Sequence, residues 1–600
     1  MFNYSKNTKT ETSNSENSEN SENSENSENS ENSENSENSE NSENSENSEE
    51  DMFSIKNIIK YNFSDFIFLI IGLIVIIIIQ FYGFKKQRLY MSIIVILLTY
   101  ILLLIQHSPK PKSTYMLGLL YEETPIKTDF EHQNSSSWPF VASAVINIEN
   151  KNHIFIGGGD NQKDVLLLFN TKTNKYDNVI SKTILSNNSN SYSAVAFDMN
   201  QDNNEDLIVG RKDGVYLYLN QGNYKFIKEK IVDKLDKVPL AISVSDYNKD
   251  GKPDIYTSYF TPIKKYKGSV FNNPSHGRKN ILLKQGKNNK YSDITLKVNA
   301  GGKQYNTFTS AFIDINQDGW PDLVLSHDSG EVEILKNNKG KFESIIPYKA
   351  KGNWMGIGAG DIDNDGDIDL FLTNIGTDTK KNKMSLGDIK KGQKQDFKHI
   401  LLQNDGNFKF TEISKEKGIN GEGFGWGALL HDWDNDSNMD LIFSENTFLY
   451  PKHYLFPNPG QLFLGGSKKL KRNFKYPNRN FGQTPLITDV NRDNKKDLIW
   501  INMSGPSLTY LNNNNNNYII ISLPMKAEFL NCRIVVDTGK KKFYRENIQG
   551  GTGFGGDTND NNIQVGLGSI TKIKEVRVYT ITDKQYTVKS PKINSVIKLV

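Results

Sequence analysis

Residues 361–369 read DIDNDGDID and run directly into LFLTN at 370–374. Oxygen-bearing side chains at alternate positions of a tight loop converge on one point, where a hard cation with about six to eight oxygen ligands turns their repulsion into attraction. Working outward, the same nine-residue spacing recurs as DMNQDNNED from Asp198, DYNKDGKPD from Asp246, DINQDGWPD from Asp314, DWDNDSNMD from Asp432 and DVNRDNKKD from Asp489. Positions 1, 3, 5 and 9 always carry Asp or Asn. The candidate metal ligands are therefore Asp198, Asn200, Asp202 and Asp206; Asp246, Asn248, Asp250 and Asp254; Asp314, Asn316, Asp318 and Asp322; Asp361, Asp363, Asp365 and Asp369; Asp432, Asp434, Asp436 and Asp440; and Asp489, Asn491, Asp493 and Asp497. Ca2+ is the expected ion, because magnesium takes fewer protein ligands and keeps its water. One such loop would be an ordinary surface turn. Six in register call for a common cause.

Position 6 is Gly251, Gly319 and Gly366 in three loops and Asn203, Ser437 and Asn494 in the others, which suits a sharp turn at positive φ. Position 7 varies freely, from Asn204 to Trp320, as a backbone-carbonyl ligand would permit. An EF-hand would need Glu at position 12 and flanking helices. Position 12 is instead Val209, Thr257, Leu325, Leu372, Phe443 and Trp500. Each loop leads into a β-rich segment, such as LIVG at 207–210 or LIWI at 498–501.

Further strand signals follow, VYLYLN at 215–220 and ILLQND at 400–405 among them, so the repeating unit is three or four antiparallel strands. Loop-to-loop intervals of 48, 68, 47, 71 and 57 residues match blades of a β-propeller with insertions. SAVINIENKNHIFIGGG at 143–159 aligns with the unit that contains the Asp198 loop but has Asn147, Glu149 and His153 in place of the acidic set. It counts as a cation-free blade. The fold class expected is all-β, a seven-bladed β-propeller over 138–517 and a small β-domain over 518–600.

These repeats resemble the FG-GAP/VCBS type, the calcium-loop blades of the integrin α-subunit propeller. Residues 354–374, WMGIGAGDIDNDGDIDLFLTN, and 425–444, GWGALLHDWDNDSNMDLIFS, are similar to the form found in the cartilage acidic protein group. YIIISLP from Tyr518 and CRIVVDTGKKKFYRENIQGGTGFGGDTNDNNIQVGLG from Cys532 resemble the C-terminal ASPIC/UnbV domain of that group. The sequence departs from it at Val578 to Thr582, where a tryptophan-proline strand is usual, and it has no EGF-like cysteines. The resemblance implies a calcium-stabilised propeller at a surface or in a matrix, and no catalytic site to transfer.

Ahead of the repeats lie two segments of other character. Residues 1–51 are an acidic Ser-Glu-Asn tail with no apolar periodicity, expected to be disordered. Within 65–106, Phe66 to Phe84 and Leu89 to Ile105 are apolar runs near the length of a bilayer core, separated by Lys85, Lys86 and Arg88. Two transmembrane helices in a hairpin are expected, with the cationic turn cytoplasmic and a linker over 107–137. Net charge is +2, and setting aside residues 1–50 leaves 70 basic against 56 acidic residues. That balance rules out a strongly basic nucleic-acid binder and suggests a protein or anionic glycan ligand. Asn134, Asn187 and Asn502 open glycosylation sequons.

The one cysteine, Cys532, excludes an internal disulfide framework. GGTGFGG at 550–556 holds a formal GxGxxG, but no helix pattern follows, so a bulge or turn in a β-domain is the better reading. His431 beside Asp432 reads as a residue flanking a metal loop. The sequence contains no HExxH, GxSxG or P-loop motif. It reads as a non-catalytic, membrane-anchored binding or adhesion protein with its C-terminal domains extracellular or lumenal. The alternatives are a propeller-scaffold enzyme acting on polysaccharide and a structural subunit of a membrane assembly.

Overall fold

The structure is a computed structural model that describes residues 95–96, 122–133, 138–376, 387–419, 423–445, 460–466, 468–557 and 560–599. The chain divides into two compact units, Met1–Val95 and Ile96–Val600, and the fold described below belongs to the second. Among the described residues no helix is long and apolar enough to cross a membrane. Apart from Val95 and Ile96, the apolar runs 66–84 and 89–105 lie outside the described residues, as does the acidic tail.

Residues 143–510 form seven antiparallel sheets in succession. Their first strands are Ser143–Ile148, Ser191–Phe197, Val238–Ser245, Asn306–Ile313, Ile357–Gly360, Gly425–His431 and Phe481–Thr488. Burial falls from the first strand outward. In the second sheet, Ser191–Phe197, Asp206–Arg211 and Gly214–Asn220 are buried throughout, whereas Phe226–Asp233 is largely exposed. Strands buried on both faces read as near-continuous apolar runs because a neighbouring sheet covers each side.

The cores lie between the sheets. Ala144 and Ile146 of sheet 1 pack on Ala194 and Leu207 of sheet 2, and Phe197 and Ile208 of sheet 2 on Val244 and Ile255 of sheet 3. Tyr256 packs on Phe312 and Leu323, Ile313 and Val324 on Ile357 and Leu370, Phe371 on Leu430 and Leu441, and Ile442 on Leu498 and Trp500. The seventh cluster joins Ile499 and Leu486 of sheet 7 back to Val145 and Ile154 of sheet 1. Sheet 7 is completed by the strand Ile126–Glu131, which pairs antiparallel with Pro506–Tyr510. This strand falls inside the stretch expected as linker, where six residues with mixed burial give a weak two-residue pattern.

Each acidic loop joins the first strand of its sheet to the second, in one register. The residue before position 1 pairs with position 9: Phe197 with Asp206, Ser245 with Asp254, Ile313 with Asp322, Gly360 with Asp369, His431 with Asp440 and Thr488 with Asp497. In sheet 1 the same connection is only Glu149–Asn150, both at positive φ, between the paired Ile148 and Lys151. A two-residue turn of that kind leaves no loop to hold a cation.

Position 9 ties the sheets together. Asp322 accepts the backbone N–H of Ile315 at 3.1 Å and that of Asn337, on the third strand segment, at 2.7 Å. Asp369 does the same with Ile362 and Asn404, both at 2.8 Å. The Asn then reaches back to the preceding sheet. Asn337 Nδ2 donates to the carbonyl of Tyr247 at 2.8 Å, Asn404 Nδ2 to that of Ile315 at 3.0 Å and Asn512 Nδ2 to that of Trp433 at 2.7 Å, while Gln285 Nε2 donates to Met199 at 2.7 Å.

Residues 517–599 add two more sheets, one of Asn517–Ser522, Asn562–Gly568 and Val596–Lys598, the other of Arg533–Asp537, Lys542–Glu546, Glu575–Tyr579 and Gln585–Lys589. Cys532 lies buried just before Arg533 in their common core. The Gly-rich run leaves this domain altogether. Gly550 pairs with Ser243, Gly553 with Ile357 and Gly556 with Ser143. The ring of Phe554 meets Phe140 at 5.0 Å, Phe308 at 5.2 Å and Trp426 at 5.9 Å. Gln483 Nε2 donates to the carbonyl of Phe554 at 3.1 Å, and Asp557 accepts the N–H of Ala196 at 3.1 Å. Segment 549–557 thus touches the first strand of every one of the seven sheets. Glycine is required for the approach: at Gly551, with φ 78°, a Cβ would lie 1.8 Å from the carbonyl oxygen of Ser310.

Two outcomes follow for stability. A chain starting at residue 135 loses the strand Ile126–Glu131 and melts about 3 °C or more below one starting at residue 118, by differential scanning calorimetry; equal melting would mean that the strand closes nothing. Asn404→Ala leaves the carbonyls of Ile315 and Ile368 without their donor and costs about 2 kcal/mol in urea unfolding, where a loss under about 0.5 kcal/mol would contradict the bridging role.

Candidate metal centre

The first aspartate of each loop folds the loop around itself. Asp246 accepts the N–H of Asp250 at 2.9 Å and of Gly251 at 2.8 Å; Asp314 accepts Asp318 at 3.1 Å and Gly319 at 2.8 Å; Asp361 accepts Asp365 at 3.1 Å and Gly366 at 3.2 Å. Asp198 and Asp489 repeat the pattern, and Asp432 accepts Ser437 N–H at 3.0 Å. All six position-6 residues have positive φ, from 65° at Asn494 to 106° at Gly366. Position 4 is left-handed as well, at Gln201, Lys249, Gln317, Asn364, Asn435 and Arg492. No glycine marks that position, so the sequence does not announce it. Its side chain reaches the next loop: Gln201 Nε2 donates to the carbonyl of Gly251 and Gln317 Nε2 to that of Gly366, both at 2.9 Å, and Lys249 Nζ lies 4.5 Å over the ring of Trp320.

In two loops the predicted ligands at positions 1, 3 and 9 come together. Carboxylate oxygens of Asp361, Asp363 and Asp369 lie within 4.8 Å of one another, as do those of Asp432, Asp434 and Asp440. In the loops with Asn at position 3, Asn200, Asn248, Asn316 and Asn491 each donate to the position-5 aspartate two residues on, at 2.9–3.2 Å. Several oxygens are buried and lack any partner: Asn248 Oδ1 and Asp254 Oδ2 in one loop, Asn316 Oδ1 in the next, and Asp432 Oδ1. A buried oxygen without a donor costs about 1–3 kcal/mol, which a cation would remove. An oxygen-only donor set fits a hard divalent ion. At the Asp246 loop, Lys284 Nζ already lies 2.8 Å from Asp250.

The electrostatics agree with that fit. Burial pushes the first aspartates up, to about 6 at Asp198, Asp246 and Asp314 and about 7 at Asp361 and Asp432. At position 9 burial, with the loop carboxylates adding to it, lifts Asp206, Asp322, Asp369 and Asp497 to about 8. Negative charge in these loops is expensive unless something positive shares it.

That end of the sheets is partly covered. Glu546 accepts the N–H of Asp314 at 3.0 Å, and Asn531 Nδ2 donates to the carbonyl of Phe312 at 2.7 Å. Gly568 N–H donates to the carbonyl of Asn435 at 2.8 Å, and a Cβ on Gly566 would meet Asp432 Oδ2 at 2.1 Å. The C-terminal domain therefore packs onto the loops at Asp314 and Asp432, while Asp202 and Asn203, Asp250 and Gly251, and Asp493 and Asn494 stay exposed at the tips of three others. Nothing in the sequence signals this docking beyond the glycines at 566 and 568.

Other sequence candidates resolve individually. Burial, with Lys496 and Arg545 nearby, lowers His431 to about 3, so it stays neutral. Burial also pushes the Cys532 thiol up, away from reactivity. Asn502 is buried, donating to the carbonyl of Pro506 at 2.6 Å and accepting from Asn478 at 2.7 Å, and cannot take a glycan in the folded chain. Asn187 is only partly buried, and Asn134 lies outside the described residues.

A family model described as an FG-GAP-like repeat matches residues 198–257 and 314–372. No curated protein matches the chain. Among solved structures, an Agrocybe aegerita lectin, described as recognising non-reducing terminal N-acetylglucosamine, is similar at 13% identity over 65% of this chain and 94% of that one, with a TM-score of 0.34. BBS1N in complex with ARL6DN, soaked with lead, is similar at 10% identity over 65% of this chain and 98% of that one, with a TM-score of 0.39. The chain carries FG-GAP-like repeats, in the two segments that hold the loops at Asp198, Asp246, Asp314 and Asp361.

Proposed function

We propose that the seven sheets close into a seven-bladed β-propeller whose six acidic loops bind Ca2+, and that the protein is a membrane-anchored, non-catalytic binding or adhesion protein. The observation that carries the closure is the segment 549–557, nine residues in contact with the first strand of all seven sheets, which supports the convergence of those strands on one axis. Completion of sheet 7 by Ile126–Glu131 supports the same reading, since a closed array leaves no long free edge. FG-GAP-like repeats support a propeller-like binding scaffold. The C-terminal sheets are proposed as an ASPIC/UnbV-type domain, on the sequence resemblance from Tyr518 onward.

Calcium is structural in this reading. Millimolar free calcium outside cells or in a lumen saturates even weak loops, which agrees with a membrane hairpin at 66–105 that leaves the propeller on that side. The C-terminal domain covers part of the loop end, so the surface left for a partner is the opposite end, the outer strands and the exposed tips of the Asp198, Asp246 and Asp489 loops. The excess of basic residues outside the tail favours a protein or anionic glycan ligand. Chelation should lower the melting temperature of the full-length chain by about 10 °C or more, with recovery on adding calcium but not sodium; an unchanged melt would remove structural calcium from the account.

A further inference from the structure

The six loops are not equivalent in charge. Position 3 is Asp363 in one and Asp434 in another, and Asn in the remaining four. Of the described residues, those two loops alone gather three carboxylates within 4.8 Å. The C-terminal domain answers this difference. Arg545, on the strand Lys542–Glu546, lines one cavity with Gly360 and His431, the residues immediately before the first aspartates of both loops, Asp361 and Asp432. On the strand beside it Arg533, 4.8 Å over the ring of Tyr544, approaches the carbonyl of Gly366 at 3.5 Å. The neighbouring Glu546 faces an Asn-type loop instead and accepts the N–H of Asp314.

Arg545 makes no ion pair among the described residues. Its Nη1 donates to the carbonyl of Tyr544 at 2.8 Å, while Nη2 is buried with no partner, as is Asp432 Oδ1. Arg545 lines a cavity of about 120 Å³ with Gly360, His431, Lys496 and Gln564. A buried cation kept near two carboxylate clusters, yet bonded to neither, acts through its field. It offsets part of their charge without occupying the cation's place.

We infer that Arg545 is a fixed counter-charge that lowers the cation affinity of the Asp361 and Asp432 loops toward that of the four Asn-type loops, so that all six load over one concentration range. This inference rests on the calcium reading above. A unit positive charge near a divalent ion in a half-buried site shifts its affinity by about tenfold or more. Trp433 at position 2 of the Asp432 loop and Trp320 at position 7 of the Asp314 loop provide separate reporters for terbium luminescence.

The test is a Tb3+ titration of the full-length chain in detergent, exciting tryptophan and assigning each phase by its loss in Trp433→Phe or Trp320→Phe. Arg545→Gln should tighten the Trp433-dependent phase about tenfold and leave the Trp320-dependent phase in place, while Arg545→Lys should behave as the parent. Asp434→Asn, which removes the extra carboxylate and keeps Arg545, should weaken the Trp433-dependent phase about tenfold. An Arg545→Gln curve equal to or weaker than the parent's, or an Asp434→Asn curve unchanged, would overturn the inference alone. No sensitised emission from the parent chain would overturn the calcium reading and the inference with it.

Discussion

A buried aspartate at the foot of each acidic loop is the element on which the architecture rests. In five of the six loops it accepts one N–H from the start of its own loop, and in all six it accepts one from the end of the third strand of its sheet or within two residues beyond it. That pins three segments together. In sheets 3, 4, 5 and 7 the third-strand residue also bonds back to the preceding sheet. A carboxylate placed so deeply is tolerable because its hydrogen bonds are complete or because positive charge stands near it. The loops above it inherit both the geometry and the electrostatic cost.

The same cost explains the company the loops keep. Part of their free end is covered by the C-terminal domain, which brings Arg545 and Arg533 toward the carboxylate-rich loops and sends its Gly-rich segment between the seven first strands. Phe554 anchors that segment among Phe140, Phe308 and Trp426. The domain is thus an axial tie and a partial cover over the loops in one.

Much of this was legible in the residues. The spacing of aspartates announced six loops, and Leu or Ile at position 10 announced the strands that leave them. Gly251, Gly319 and Gly366 announced the positive φ at position 6. What escaped lacked a local signature. Left-handed Gln201, Lys249 and Gln317 look like any surface residue, because their conformation is imposed by neighbouring hydrogen bonds rather than by their own preference. Asn337, Asn404 and Asn512 carry no local mark of their role, since a bond to the preceding sheet is a long-range fact. GGTGFGG read as a turn because glycine density says only that something comes close, and the seven strands that do so lie from about 60 to 400 residues away.

The carboxylates of those loops can stay buried together only if divalent ions share their charge. The most direct measurement is anomalous diffraction from crystals of the protein grown in calcium. A peak in each of the six loops, ringed by the oxygens of positions 1, 3, 5 and 9, is the predicted result. Well-ordered loops with no peak, their carboxylates turned outward to water, would contradict it.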